Sequence, residues 1–309
     1  MRPIRLIPQK TRIPFLRLRH LFLSISAVGI VVSLTLFGLR GLNLGIDFLG
    51  GIMMEVATPG PADLGRMRTT LNALGLGEVA LQEFGKASDV LVRVSRQPGD
   101  EKAQLVAVDK VKKALSSLGQ MHYRRIELVG PKVSAELVEA GTIAVVAAVA
   151  LMLVYIWFRF ELQFGVGAVL ALIHDVIMTI GLFAATGIEF NLSSIAAILT
   201  IVGYSINDTV VVYDRVRENL RKYKAMPLMT LLELSVNETL SRTTMTSLTT
   251  LLALIALFLF GGTVIAGFTL AMIWGIVVGT YSSIFVAVAF LLWFKPRRSG
   301  AATEVAKTP

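Results

Sequence analysis

The sequence predicts an α-helical polytopic membrane protein with about six transmembrane helices and one α+β domain between the first two. Three observations carry this. The 309 residues are 54% hydrophobic and only 17% charged, with a mean hydropathy of +0.70, more apolar than a soluble domain of this length. Six runs are long enough to cross a bilayer, which takes roughly 18 or more apolar residues: Leu21–Leu39, Ala140–Phe158, Phe164–Thr186, Phe190–Tyr213, Thr243–Phe260 and Val264–Phe294. The basic residues gather at the ends of these runs.

The first run follows a basic segment, residues 1–20, with Arg2, Arg5, Lys10, Arg12, Arg17 and Arg19. No small-x-small cleavage site follows the run, so residues 21–39 read as a retained signal-anchor. Further basic clusters fall at Arg215, Arg217, Arg221, Lys222 and Lys224, and at Lys295, Arg297 and Arg298. The links "GIEFN" and "GGTVIAG" carry no Lys or Arg. This is the positive-inside pattern. It predicts cytoplasmic N- and C-termini, and it assigns the net charge of +9 to membrane topology rather than to nucleic acid. The chain has no cysteine, which excludes disulfides and thiolate chemistry.

Residues 40–133 differ in character. "GGIMMEVA" reads as a strand and "PADLGRMRTTLNALG" as a helix. "EVALQEFG" and "DVLVRVS" read as strands joined by the turn "KAS". "DEKAQLVAVDKVKKALSSLG" reads as a helix with Leu105, Val108, Val111 and Leu115 on one face, and "HYRRIELVG" as a closing strand. The order β-α-β-β-α-β is the ferredoxin-like pattern, expected here as an extracytoplasmic domain. Residues 134–294 hold spans two to six. A basic, amphipathic segment at about 214–241 is expected along the inner membrane surface. Residues 295–309 form a polar cytoplasmic tail.

Ionisable groups within spans mark function by default. In the fourth span Thr200, Tyr204 and Asp208 are spaced four apart, with Gly203 and Asn207 beside them, forming one polar stripe. Asp208 lies six residues before Asp214, about 9 Å into the membrane at 1.5 Å per residue. Arg242 opens the fifth span at a compatible depth, and Thr246 with Thr249 or Thr250 continues its face. A carboxylate and a guanidinium in a low dielectric favour each other's charged forms. The pair reads either as a proton-coupled switch or as a static ion pair. The third span adds Asp175 and Thr179. His174 points roughly 100° away from Asp175 on a helix and suits an interhelical hydrogen bond. Glu136 and Glu139 open the second span at its outer surface as interfacial groups. In the sixth span Gly267, Ala271, Gly275, Gly279, Ser283 and Ala287 recur every four residues, a helix-packing stripe. No nucleophile elbow, Walker loop or metal-ligand motif occurs, so the reading is of a non-enzyme without a metal. Asp175 and Asp208 could form a protease dyad, but the Gly-x-Gly-Asp partner motif is absent.

Six segments, in order, carry a resemblance: "GIDFLGG", "VGPKVSAELVEAG", "IHDV", "GYSINDTVVVYDRVREN", "LSRTTMTSLTT" and "GTYSSIFVA". From Gly45 to Phe294 the chain resembles the SecD/SecF family of bacterial protein-export membrane subunits, related to resistance-nodulation-division transporters. The fourth segment together with "SRT" is specific. Leu49 departs from the pattern, which has a small polar residue there. The resemblance implies the SecF half of a pair in the bacterial cytoplasmic (inner) membrane, with SecD as a separate chain. It implies the SecYEG channel, a translocating preprotein and membrane lipid as further partners, and no nucleic acid. It also implies use of the proton motive force, with Asp208 protonatable and Arg242 its counter-charge. Asn207 and Tyr204 then tune Asp208, Thr200 and Thr246 extend the polar face, and Asp175 is a secondary polar contact. No cofactor is expected beyond a coupling ion, H+ ahead of sodium. The alternatives are a half-size proton-coupled efflux or lipid transporter of the same superfamily, with a substrate pocket in its outer domain, or a non-transporting scaffold of the channel.

Overall fold

The computed structural model describes residues 11–99, 101–294 and 296. Arg2, Arg5, Lys10, Lys295, Arg297, Arg298 and residues 299–309 of the tail lie outside the described residues. In chain order the elements are α1 (Arg19–Arg40), α2 (Ile46–Leu49), β1 (Gly51–Ala57), α3 (Leu64–Asn72), β2 (Val79–Phe84), β3 (Lys86–Val94), α4 (Glu101–Ser116) and β4 (His122–Val129). The helices α5 (Pro131–Arg159), α6 (Leu162–Thr186), α7 (Leu192–Lys222), α8 (Leu228–Phe260), α9 (Ala266–Ser282) and α10 (Val288–Phe294) follow. They form two compact units: residues 43–146 with 189–195, and the helix bundle.

In the first unit the sheet order is β2-β3-β1-β4, antiparallel throughout, with α3 and α4 returning between strands as the β-α-β-β-α-β reading expects. Alternation along β1 puts Ile52, Met54 and Val56 in the core, with Met67 and Leu71 of α3 and Val108, Val111 and Leu115 of α4. Two local expectations fail. The β2–β3 turn is at Gly85 (φ 81°), and "KAS" belongs to β3, because glycine alone adopts that conformation without strain. Leu105 is 49% exposed. Gln104 takes the inward position instead, exchanging hydrogen bonds with the backbone of Gln97 at 2.7 and 3.1 Å. Across the sheet, Arg124 binds the buried carboxylates of Asp89 and Glu55, at 2.7 and 3.6 Å.

Six helices among the described residues are long and apolar enough to cross a membrane: Phe15–Arg40, Val133–Arg159, Leu162–Thr186, Leu192–Lys222, Leu228–Phe260 and Ala266–Phe294. Half of the third and 67% of the last are buried within the chain, against 6% of the second. The third and last therefore form the centre, and α5 presents its surface outward. The first span begins before the expected Leu21. Leu16 is buried in the bundle core, and Asn237 of α8 clamps the Ile13 backbone through bonds of 2.8 and 2.9 Å. The segment 214–241 is not a separate surface helix but the ends of α7 and α8, joined at residues 223–227. The reason is packing: Val216, Leu220, Leu231, Leu232 and Val236 are buried in the bundle core. The last span is interrupted by a π turn at Ser283–Ala287, a feature common at functional sites.

Candidate functional site

The small residues of the last span explain how the polar groups come together. Gly275 lies against Ile201, so closely that any Cβ there would overlap it, and a Cβ on Gly279 would come within 3.1 Å of Ser205. One turn further, the Ser283 hydroxyl is 2.9 Å from that of Thr209. Steps of four on α9 and the π turn thus meet steps of four on α7, so the two backbones pack closely. Ala271 is buried on the same helix, and a Cβ on Gly267 would approach Ile188 at 2.9 Å.

This close approach builds a buried network around Asp175, which is fully buried. Its Oδ2 accepts hydrogen bonds from Ser205 of α7 at 2.5 Å and Ser282 of α9 at 2.8 Å. Its Oδ1 lies 2.9 Å from Nδ1 of His174. The expected divergence of His174 from Asp175 is therefore corrected. The two adjacent side chains bend toward each other, because the carboxylate is the nearest polar group within an apolar helix. His174 Nε2 is buried and has no hydrogen-bond partner among the described residues. Thr179 turns its hydroxyl to the Asp175 carbonyl, at 2.8 Å. Asp175 is thus a hub joining α6, α7 and α9.

Asp208 stands apart from this hub. It is 4% exposed, and its Oδ2 has no hydrogen-bond partner among the described residues. Thr243 of α8 is the neighbouring hydroxyl, and the Arg242 charge also acts on the carboxylate. The Thr243 hydroxyl is likewise buried and without a hydrogen-bond partner there. Arg242 is exposed, and no ion pair within 4 Å joins it to Asp208 among the described residues. The static ion pair open to the sequence reading is thus absent from this conformation.

The remaining stripe residues divide. Tyr204 donates to Ser247 at 3.4 Å, and Ser247 is 2.7 Å from the Thr280 hydroxyl, linking α7, α8 and α9. Thr200 and Asn207 are exposed, and Thr200 bonds back to Ala196 at 2.7 Å. Thr246 is exposed as well and bonds to the carbonyls of Arg242 and Thr243. It does not join Asp208. On α8 the inward residues are Thr243 and Ser247, four apart like the stripe they face, and that spacing in "SRTTMTS" was the available signal.

Past Asp208 the sequence "YDRVREN" fastens the end of α7. Tyr213 donates to the Ala287 carbonyl at the π turn, at 2.9 Å. Asp214 pairs with Arg159 of α5. Arg215 binds Glu238 at 2.7 Å, and Asn219 donates to Ser235 at 3.0 Å and Glu238 at 2.8 Å. Sequence reasoning missed Arg159, Ser205, Glu238 and Ser282 as partners in these contacts. In the other unit, "GIDFLGG" is stapled in place. Asp47 Oδ2 caps α7 by accepting from the Leu192 N–H at 2.9 Å, and Arg93 donates to the Leu44 carbonyl and to Asn43, each at 2.8 Å. Gly51 has φ 116°, and a Cβ there would meet the Val94 carbonyl at 2.6 Å, so glycine is required. Leu49 is 63% exposed. Among the described residues no group of three or more His, Cys, Asp or Glu could hold a metal ion.

Comparison with known proteins gives the family. Residues 110–297 match the model of the protein export membrane protein SecD/SecF, C-terminal, and residues 35–58 match the SecD/SecF GG motif. The protein translocase subunit SecF of Rickettsia akari (strain Hartford) is 44% identical over 296 residues, 96% of each chain. That of Desulfurispirillum indicum is 45% identical over 290 residues, 92% of each. A crystal structure of a Thermus SecDF, a translocon-associated membrane protein, superposes with a TM-score of 0.85 at 35% identity, covering 96% of this chain and 40% of that one. A SecDF structure in a super-membrane-facing form gives 0.63 at 33% identity, over 95% of this chain and 40% of that one. The chain belongs to the SecD/SecF family of protein-export membrane proteins.

Proposed function

We propose that this chain is a SecF-type subunit of the protein-export machinery in the bacterial inner membrane. It works with SecD beside the SecYEG channel and uses the proton motive force to assist movement of a preprotein. Both termini lie in the cytoplasm and residues 40–133 outside, as the basic residues at the ends of the spans favour. The observation that carries this reading is the buried Asp208 Oδ2 without a hydrogen-bond donor. An ionised carboxylate in that state lacks the solvation that water or a partner would give, so small rearrangements shift its preference for a proton.

In the proposed cycle a proton entering from outside neutralises Asp208. The attraction that Arg242 feels is lost, and the head of α8 is free to move against α7. Release of the proton to the cytoplasm restores the charge and the first arrangement. The cycle biases a two-state element by changing one local charge. Tyr204 and Ser247 hold α7, α8 and α9 in register, and Asp175 holds α6, α7 and α9 through the motion. Asn207, Thr200 and Thr246, exposed in this conformation, act at the margin of the path. The coupling ion is H+, and no organic cofactor or metal takes part.

The test is export of a preprotein into membrane vesicles containing the chain with its SecD partner, under an imposed proton gradient. Asp208→Asn keeps the shape and cannot cycle a proton. It is expected to remove the stimulation by the gradient at a normal level of inserted protein. Undiminished stimulation contradicts proton carriage by Asp208.

A further inference from the structure

We propose that the end of the bundle where α5 and α7 finish carries a binding site for the headgroup of an anionic phospholipid. A cleft of about 560 Å³ lies there, lined by Arg159, Asp214, Arg217, Glu218, Arg221 and Lys222. Four of these side chains are cations and two are carboxylates, and both carboxylates are already engaged. Asp214 pairs with Arg159, and Glu218 with Arg215 at 2.6 Å. Arg217, Arg221 and Lys222 form no ion pair among the described residues. Arg217 is held in place from two sides. It donates to the Arg159 carbonyl at 3.3 Å, and its guanidinium lies 5.9 Å from the Phe160 ring centre. Lys222 also acts on the Glu238 carboxylate from beyond ion-pair distance, but three cations outside any such pair that line one concavity suit a phosphate group.

The surroundings choose the source of that phosphate. Trp157, Phe158 and Leu162, within three residues of Arg159, are 77%, 85% and 79% exposed. At the end of a span such side chains sit at the level of headgroups and acyl chains. A lipid bound in the cleft would lay its chains against them, whereas a free phosphate would meet only the charges. Basic pockets between spans are known hosts for anionic headgroups. The inference does not depend on proton carriage by Asp208, and its test does not use export.

The experiment follows thermal unfolding of the purified full-length chain in detergent micelles, titrated with dioleoyl-phosphatidylglycerol, dioleoyl-phosphatidylcholine or inorganic phosphate. Phosphatidylglycerol is expected to raise Tm, and the other two are not. The double variant Arg221→Gln, Lys222→Gln changes two exposed side chains. It should need about 25-fold more phosphatidylglycerol for the same shift, roughly fivefold per cation. Lys110→Gln, Lys113→Gln removes equal charge from exposed positions of α4 and should respond as the parent does. Circular dichroism establishes that each variant is folded. Arg217→Gln serves as the second probe if the double variant is not, and should also require more lipid. An equal response to phosphatidylcholine, a shift reproduced by phosphate alone, or equal weakening in the α4 variant would overturn the proposal.

Discussion

Ser205 and Asp175, thirty positions apart in the chain, are joined by a 2.5 Å hydrogen bond inside the bundle. With Ser282 at 2.8 Å, it supplies both donors to Asp175 Oδ2. Removing either hydroxyl leaves a buried carboxylate oxygen with one donor. Ser205→Ala and Ser282→Ala should each cost about 1 to 2 kcal/mol, between the modest mean for hydrogen bonds in membranes and the larger value for bonds to charged groups. The double variant should lose more than the sum, since no donor then remains. Thermal unfolding in detergent checks this, and unchanged stability in the double variant would show that Asp175 does not need these donors.

The stripe on the last span faces α7 of the same chain, so its substitution should act on folding before assembly. Gly275→Ala forces Ile201 to move and should destabilise by about 1 to 3 kcal/mol, the usual cost of overpacking. Gly203→Ala, with no atom within 4 Å of the new Cβ, should stay at or above parental stability, as alanine favours helix. Chemical denaturation of both variants separates the two cases.

Glu189, in the link between α6 and α7, has its pKa raised above 4.5, chiefly by burial, with Asp47 and Glu127 adding repulsion and Arg93 opposing it. A carboxyl whose folded pKa lies above its unfolded value stabilises the fold while protonated. That contribution is complete below about pH 4.5 and is lost as pH rises through the raised value. Glu189→Gln should therefore raise Tm at neutral pH and leave it little changed at pH 4. A parallel offset at both pH values would remove Glu189 as the cause.

The core of the β-containing unit is built from residues between Ile52 and Leu128. A segment of residues 51–130 should therefore fold by itself as a monomer with mixed α and β dichroism. Elution as an aggregate with a coil spectrum would show that the bundle is needed to fold it.

The architecture was legible because it rests on local periodicity. Alternation in "GIMMEVA" and the apolar lengths of six runs do not depend on distant partners. The turn at Gly85 and the inward Gln104 were misread because a single glycine conformation and one amide-to-backbone pair outweighed hydrophobic pattern. At the candidate site the sequence singled out Asp175, Asp208 and Arg242 by the cost of charge in a membrane. It showed neither that Ser205 and Ser282 converge on Asp175 nor that Arg159 meets Asp214, because these contacts arise only when helices far apart in sequence pack. Thr243, one residue beyond Arg242, was overlooked in favour of Thr246, since depth can be counted along a helix but the face of a helix is set by its neighbours.

Proton carriage by Asp208, answered by Arg242, is tested most directly by a double-mutant cycle on preprotein export under an imposed proton gradient. The variants are Asp208→Asn, Arg242→Met and the two combined, each reconstituted with the SecD partner and matched for inserted protein. Residues acting as one switch give non-additive losses. Each single change should abolish the gradient-driven component, and the combination should be no worse than either. Arg242→Lys, which keeps the charge without the planar fork, should retain part of it. A gradient-driven rate in Asp208→Asn equal to the parent, or losses that simply multiply in the combined variant, would contradict the switch.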